Sequence, residues 1–356
     1  MSYTGTHAFG LRTPIVKEGD DIVDIVMSSL NDAYNNKEYT PKENDIIGLT
    51  ESIVARAEGK YVSVNDIVKD LENKFPNCGC VYVYNPIYSR NRFSIILRAI
   101  ARYFDRVTII GDNIDEVGNH IEHPITKVNY KDLYKEIIEK EGAEFGWCST
   151  TRFHNIPNRY QVIDCTLHPE FKITDVILPE NTCHLKDICN NVSEYGLLGS
   201  NKVDEETLKL FPDSKNQELV DRLKLHVQQE FGLKNVNVMI YGDGCYKDAS
   251  SGIWEFADPV VSPLYTPGLD GTPSELKLKY LADNEFDTLK GDELTNAIKT
   301  RIHNKNVVQG NMETQGTTPR KYTDLLGSLM DLISGSGDKG TPVVIVQDYF
   351  KNYSMD

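Results

Sequence analysis

Two groups of residues in this chain have types and spacings suited to phosphate and metal chemistry. The first is Ser334-Gly335-Ser336-Gly337-Asp338-Lys339-Gly340, set directly before the apolar run Thr341 to Val346. A loop this rich in glycine can turn successive backbone N–H groups toward an anion and let a ligand approach the main chain closely. Its spacing is not G-x-x-x-x-G-K-[ST], so it is not a P-loop. A plain turn that closes a helix and opens a strand has the same composition. The second group is Gly242-Asp243-Gly244-Cys245-Tyr246-Lys247-Asp248, followed by Trp254-Glu255-Phe256-Ala257-Asp258. A carboxylate at the C-terminal end of a strand, flanked by glycines, suits a hard cation. Asp243, Asp248, Glu255 and Asp258 supply more oxygen than a turn requires, with Asp243 the leading candidate. Acids beside a phosphate loop need Mg2+ or Mn2+ to offset their repulsion of the phosphates. The alternative is a hairpin whose acids face water.

Smaller clusters accompany these. Glu51, Arg56 and Glu58 follow a short buried strand, Asp45 to Leu49. The planar fork of Arg56 suits a phosphate, or it pairs with Glu58 at the surface. Arg90 and Arg92 stand where a helix begins and are placed to meet an anion there, or form a solvated basic edge. Cys183-His184 with Cys189 has some metal-ligand character, but no second ligand pair stands nearby.

The elements that must position these residues fall into three zones. In the first, apolar residues at helical spacing predict a helix over Ile22 to Tyr34, then the strand Asp45 to Leu49 and a short helix ending at Gly59. In the second, Cys80 to Tyr84 and Arg106 to Gly111 read as strands alternating with helices over Phe93 to Tyr103 and Tyr130 to Glu141, a small α/β unit with a parallel pair. In the third, helices are expected over Asn216 to Phe231, Leu294 to His303 and Tyr322 to Ile333. A strand over Asn235 to Tyr241 is broken by Gly242-Asp243-Gly244, and Thr341 to Asp348 is a late apolar strand. Asp258 to Pro273, rich in proline and glycine, reads as a long loop.

The order of these motifs resembles the coenzyme F420-0:L-glutamate ligases, or γ-glutamyl ligases. The matching features are Pro14 to Asp21, the strip Ile53 to Gly59, the pair Ser200-Asn201, the strand ending near Asp243, and the helix and glycine loop leading to Pro342-Val343-Val344. The resemblance covers roughly residues 11–64 and 190–350, leaving Cys78 to Cys165 outside it as an insertion. It implies an α+β fold: a mixed-sheet ligase core, residues 1–75 and 171–356, with an inserted α/β subdomain over 76–170, and a homodimer with its site at the subunit contact. It also implies GTP-dependent ligation, in which an acid is activated as an acyl phosphate and the amine of L-glutamate, or another amine, displaces phosphate. Divalent metal, Mg2+ or Mn2+, and a monovalent cation such as K+ assist.

Carried onto this sequence, Thr13, Pro14, Ile15 and Val16 fall on the first nucleotide strip. Glu51 stands where the family has a nucleotide-contacting serine, Arg56 where it has lysine, and Asn201 on a nucleotide-contacting asparagine. Ser334 to Lys339 fall on the last nucleotide loop, and Asp243 on a metal-binding aspartate. Leu198 replaces a second metal-binding aspartate, and the turn at Asp243 lacks the family's threonine and arginine. Re-liganding by Asp248, Glu255 or Asp258, a substrate other than the deazaflavin coenzyme, or a binding module without turnover all follow as expectations. A nucleotide hydrolase is a third class.

Composition narrows the field. At 356 residues the chain has room for two domains, and 40% hydrophobic with 26% charged residues is ordinary for a globular protein. A net charge of −15 argues against sequence-independent nucleic-acid binding, which needs a basic face. The sequence has no run of 18 apolar residues and no apolar leader at its start, so neither a membrane span nor a signal peptide is expected. Seven scattered cysteines fit reduced thiols in a cytoplasm.

Overall fold

The protein's structure, a computed structural model, describes residues 4–355 apart from 90, 117, 126, 167–175, 244–245, 248–253, 256–259, 274, 306–320 and 336; the side chains of 243, 246–247, 254–255, 260–261 and 263 are also outside the description. In chain order the first elements are β1 (His7–Leu11), α1 (Ile22–Asn35), β2 (Asp45–Thr50), α2 (Glu51–Ala57), β3 (Tyr61–Ser63) and α3 (Val64–Lys74). Next come β4 (Cys80–Tyr84), α4 (Arg92–Tyr103), β5 (Arg106–Ile110), α5 (Tyr130–Lys140), β6 (Glu144–Cys148), β7 (Val162–Asp164) and β8 (Cys183–His184). They are followed by β9 (Asn201–Lys202), β10 (Thr207–Lys209), α6 (Gln217–Phe231), β11 (Val236–Asp243), β12 (Tyr246–Lys247), β13 (Trp254–Glu255) and β14 (Val260–Tyr265). The last are the short turn α7 (Leu278–Tyr280), α8 (Gly291–His303), α9 (Tyr322–Ser334) and β15 (Val343–Gln347).

A mixed five-stranded sheet runs in the order β1-β15-β2-β11-β14. Strands β2 and β11 pair in parallel, and the other neighbours are antiparallel. Alternation along the strands divides the side chains between two apolar layers. Ile47, Leu49, Val238, Ile240, Val343 and Ile345 pack against α1 and α6. Ile46, Met239, Tyr241, Val344 and Val346 pack against Leu326 and Met330 of α9. At the far edge Asp45, fully buried, accepts hydrogen bonds from Tyr39 Oη (2.8 Å) and Gln347 Nε2 (2.9 Å), tying the start of β2 to the end of β15.

A second five-stranded sheet, β6-β5-β4-β7-β8, is parallel throughout. The expected parallel pair is its centre. The remaining strands are short or glycine-bearing, which hides their period in the sequence. Its main apolar cluster reaches from Val62 and Ile67 through Leu97 and Ile109 to Leu208 and Leu210. Strands β3, β10 and β9 form a small sheet.

Two expectations are corrected. Strand β11 is not broken at Gly242 but continues to Asp243, with a register shift between Ile240 and Gly242. Glycine in a strand often marks such a bulge rather than a stop. Part of the expected loop Asp258 to Pro273 is strand β14. It is an edge strand, the place where Pro263, lacking an N–H, costs no ladder bond.

His184 and Asp164 end neighbouring parallel strands, and His184 Nδ1 lies 3.0 Å from Asp164 Oδ2. That hydrogen bond raises the imidazole pKa above its ordinary value. A raised histidine stabilises the fold fully below about pH 6.5, the unfolded value, and the contribution is lost as pH rises through the higher folded value. The difference in Tm between wild type and His184→Gln should therefore be greatest near pH 5.5 and shrink above neutrality. Thermal denaturation across that range measures it.

Candidate active site

The strand directions bring four segments to one edge of the mixed sheet. Strands β2 and β11 run parallel in register, Thr50 opposite Tyr241, so their C-terminal ends lie side by side. Strand β15 is antiparallel to β2 and pairs Val343 with Leu49, so the glycine loop before it arrives at the same edge. Strand β1 pairs Leu11 with Val343, which delivers Thr13 to Val16 there too. The carboxyl ends of parallel strands are where open α/β sheets bind ligands.

A cavity of about 870 Å3 lies at this edge. Its wall includes Thr13, Pro14, Ile15, Val16, Glu51, Arg56, Asn201, Ser334, Gly335 and Gly337 from the sequence-derived nucleotide set. Asp338 and Lys339 form the turn after Gly337 and are not part of the wall, while Ser336 lies outside the described residues. Gly242 is in the wall and Asp243 follows it as the last residue of β11. The side chains of Asp243 and Glu255, and Asp248 and Asp258 entirely, lie outside the described residues.

The glycine loop is shaped by two backbone positions. Gly335 ends α9 at φ 59° and ψ −149°, a conformation essentially restricted to glycine, and Gly340 has φ 67°. Gly337 does not take positive φ. Thr341 Oγ1 donates to the Ser334 carbonyl (3.1 Å), and Thr13 N–H donates to the Gly340 carbonyl (3.3 Å), fastening the loop at both ends. A Cβ at Gly335 would lie 2.5 Å from Lys339 Nζ, so the lysine crosses the loop's own backbone.

Arg56 projects from α2 and donates from Nε to the Val16 carbonyl. It therefore joins the first strip to the helix, and the surface pair with Glu58 that its sequence position allows is not among the described ion pairs. Asp20 and Asp21 of the first motif serve local structure: Asp20 accepts from Lys17 N–H (2.7 Å) and Asp21 caps α1 at Val23 N–H (2.8 Å).

Glu51, the first residue of α2, is 4% exposed. Its Oε1 accepts from Lys209 Nζ (2.8 Å) and Asn201 Nδ2 (3.3 Å). Lys209 and Asn201 are cross-strand partners in β10 and β9, so one register delivers both. Lys209 is 8% exposed and lines the same cavity. Sequence reading missed it, although a lysine inside Leu208-Lys209-Leu210-Phe211 is a signal: a charge in an apolar run needs a partner. The negative charge that Glu51 brings to the cavity is thus matched within the fold. A Cβ on Gly242 would stand 2.1 Å from Glu51 Cγ, so the bulged glycine provides the room for this carboxylate.

The parallel sheet reaches the cavity through Asn91, the residue before α4. Arg92 Nη1 donates to the Ser200 carbonyl (3.2 Å), which anchors the strand carrying Asn201; Arg90 lies outside the described residues. Leu198, at the position of the missing aspartate, packs against the apolar cluster of the parallel unit and is not in the cavity wall. Cys183 and Cys189 are buried in that cluster, their thiols pushed up to about 12 by desolvation, while His184 turns to Asp164. Among the described residues no group of three acids, histidines or cysteines is arranged to hold a metal, and no helix is long and apolar enough to cross a membrane.

A family model described as F420-0:gamma-glutamyl ligase matches residues 10–348. The matched span includes the segment 78–165. The chain is also similar to a tRNA-2-methylthio-N(6)-dimethylallyladenosine synthase of Finegoldia magna, 25% identical over 183 residues. That similarity covers 51% of this chain and 35% of the synthase, so this chain spans about a third of that protein's length.

Two outcomes test the wall. Lys209→Met alone leaves Glu51 buried without its cation and should cost about 3–5 kcal/mol, whereas Lys209→Met with Glu51→Gln should recover most of it; urea denaturation measures both. Gly242→Ala should displace Glu51 and cost about 1–3 kcal/mol by overpacking, read the same way.

Proposed function

The chain belongs to the F420-0:gamma-glutamyl ligase family, and from that premise we propose that the cavity joins a carboxylic acid to an amine at the expense of a purine nucleoside triphosphate, GTP by the family's habit. The observation that carries this reading is the meeting of residues 13–16, Glu51, Arg56, Asn201, Ser334, Gly335, Gly337 and Gly340 with Gly242 in one wall. A cavity of this size falls in the range of small-molecule sites.

In this reading the phosphates meet the backbone around Gly337, the N–H groups of Gly335 and Gly340 being committed to the Asp331 and Gly337 carbonyls, and Arg56 adds a fixed charge. The acid's carboxylate attacks the terminal phosphorus and becomes an acyl phosphate. The amine nitrogen of L-glutamate, or of another amine, then forms the C–N bond as the C–O bond breaks and phosphate leaves with the electron pair. The chain's part is positioning and charge stabilisation. Mg2+ or Mn2+ suits a carboxylate donor such as Asp243, the residue after Gly242 in β11, and when bound would draw charge from the phosphates; K+ is the expected monovalent partner. Asp243 remains the leading metal donor, as in the sequence reading.

The acid is proposed to differ from the deazaflavin coenzyme, because the sequence of the turn after Asp243 departs from the family pattern. A homodimer in a cytoplasm, with no nucleic-acid or membrane partner, completes the reading. The position of Leu198 in the apolar cluster favours one rival: a nucleotide-binding module without turnover.

GTP with Mn2+ at 100 times Kd should add about 2.7 kcal/mol of stability, visible as a rise in Tm. Phosphate release should then require both an acid and an amine. Stabilisation without release under any acid–amine combination supports the module, and release without an amine supports a hydrolase. Rapid glutamylation of coenzyme F420-0 would refute the altered substrate.

A further inference from the structure

Glu51 is an acid in the wall of a cavity assigned above to triphosphate, where a carboxylate is electrostatically unfavourable. The fold nevertheless accommodates it in three separate ways. Lys209 supplies a buried counter-charge, Asn201 a second hydrogen bond to the same oxygen, and Gly242 the space for its side chain. Stability alone does not account for this, because a buried ion pair is on average no better than well-packed apolar residues of the same volume. The carboxylate also lies at the edge where Gly242 leads to Asp243, beside the strand end where the phosphates are placed.

We propose that Glu51 is a catalytic residue of the second half-reaction. Its carboxylate receives the ammonium group of the amine substrate and takes one proton from it, so that the nitrogen can attack. This rests on the ligase reading above and deepens it: the amine is one that is cationic at neutral pH, such as the α-amino group of an amino acid. The balance is complete within the site. One proton passes from the ammonium to Glu51 and on to solvent, which frees the nitrogen lone pair to form the C–N bond; phosphate departs with the electrons of the C–O bond and takes the second nitrogen proton, leaving as hydrogen phosphate. Carboxylates accept more than one donor, so Lys209 and the ammonium can share Glu51.

The test compares two nucleophiles on the same acyl phosphate, with GTP, Mn2+ and a set of acids that includes coenzyme F420-0 and simple α-hydroxy and dicarboxylic acids. L-Glutamate is cationic at its nitrogen and must lose a proton, whereas hydroxylamine is uncharged at neutral pH. Wild type should form amide with the first and hydroxamate with the second. In Glu51→Gln, amide formation should fall about 10²–10⁴-fold, the usual scale of general-base catalysis, with hydroxamate formation nearly unchanged. The double variant Glu51→Gln with Lys209→Met, which leaves no buried charge unpaired, should show the same split. Equal loss of both products in both variants, or unaltered amide formation, overturns the proposal. Wild type that forms neither product with any acid refutes the ligase reading itself.

Discussion

The parallel pairing of Asp45–Thr50 with Val236–Asp243 is the constraint on which the site depends. Parallel neighbours end at the same edge, so the chain leaves both strands side by side and the next residues, Glu51 and Gly242, meet at once. The antiparallel strand Val343–Gln347 must start where its neighbour ends, which brings the glycine loop to that edge. The strand His7–Leu11 must end where Val343–Gln347 starts, which brings Thr13 to Val16. Four segments distant in sequence share one wall because hydrogen-bond register leaves them no other place.

Electrostatics then sets the character of that wall. A buried carboxylate needs a partner, and the fold supplies an ammonium from a different sheet. Lys209 reaches Glu51 because the strands Asn201–Lys202 and Thr207–Lys209 pair with Lys209 opposite Asn201. Arg92 holds the carbonyl of Ser200 just before that pair, so the parallel unit steadies the same strand from behind. The second apolar cluster also absorbs Leu198, and the two units thus share the segment 197–210. Their dependence on one another is a consequence of packing rather than of chain order.

Much of the fold was legible because it rests on local signals. Helical spacing located the helices that face the mixed sheet, and apolar runs located its three central strands within one or two residues. The reading failed where local composition and tertiary context disagree. Gly242 looks like a strand breaker, yet a bulge lets the strand pass through it. Pro263 looks like a loop residue, yet an edge strand tolerates it. The strands Val162–Asp164 and Cys183–His184 are too short to show a period, and only their neighbours make them strands.

By itself the sequence determined the identities of the groups that line the cavity and the order in which they occur, because a glycine loop, a strip of fixed composition and an apolar run are local properties of a chain. Only the tertiary structure decided that Glu51 is matched by Lys209, that Asn91 joins the wall and that Leu198 turns away from it. Charge pairing and burial are set by distances between residues far apart in sequence, and those distances exist only once the strands have found their register.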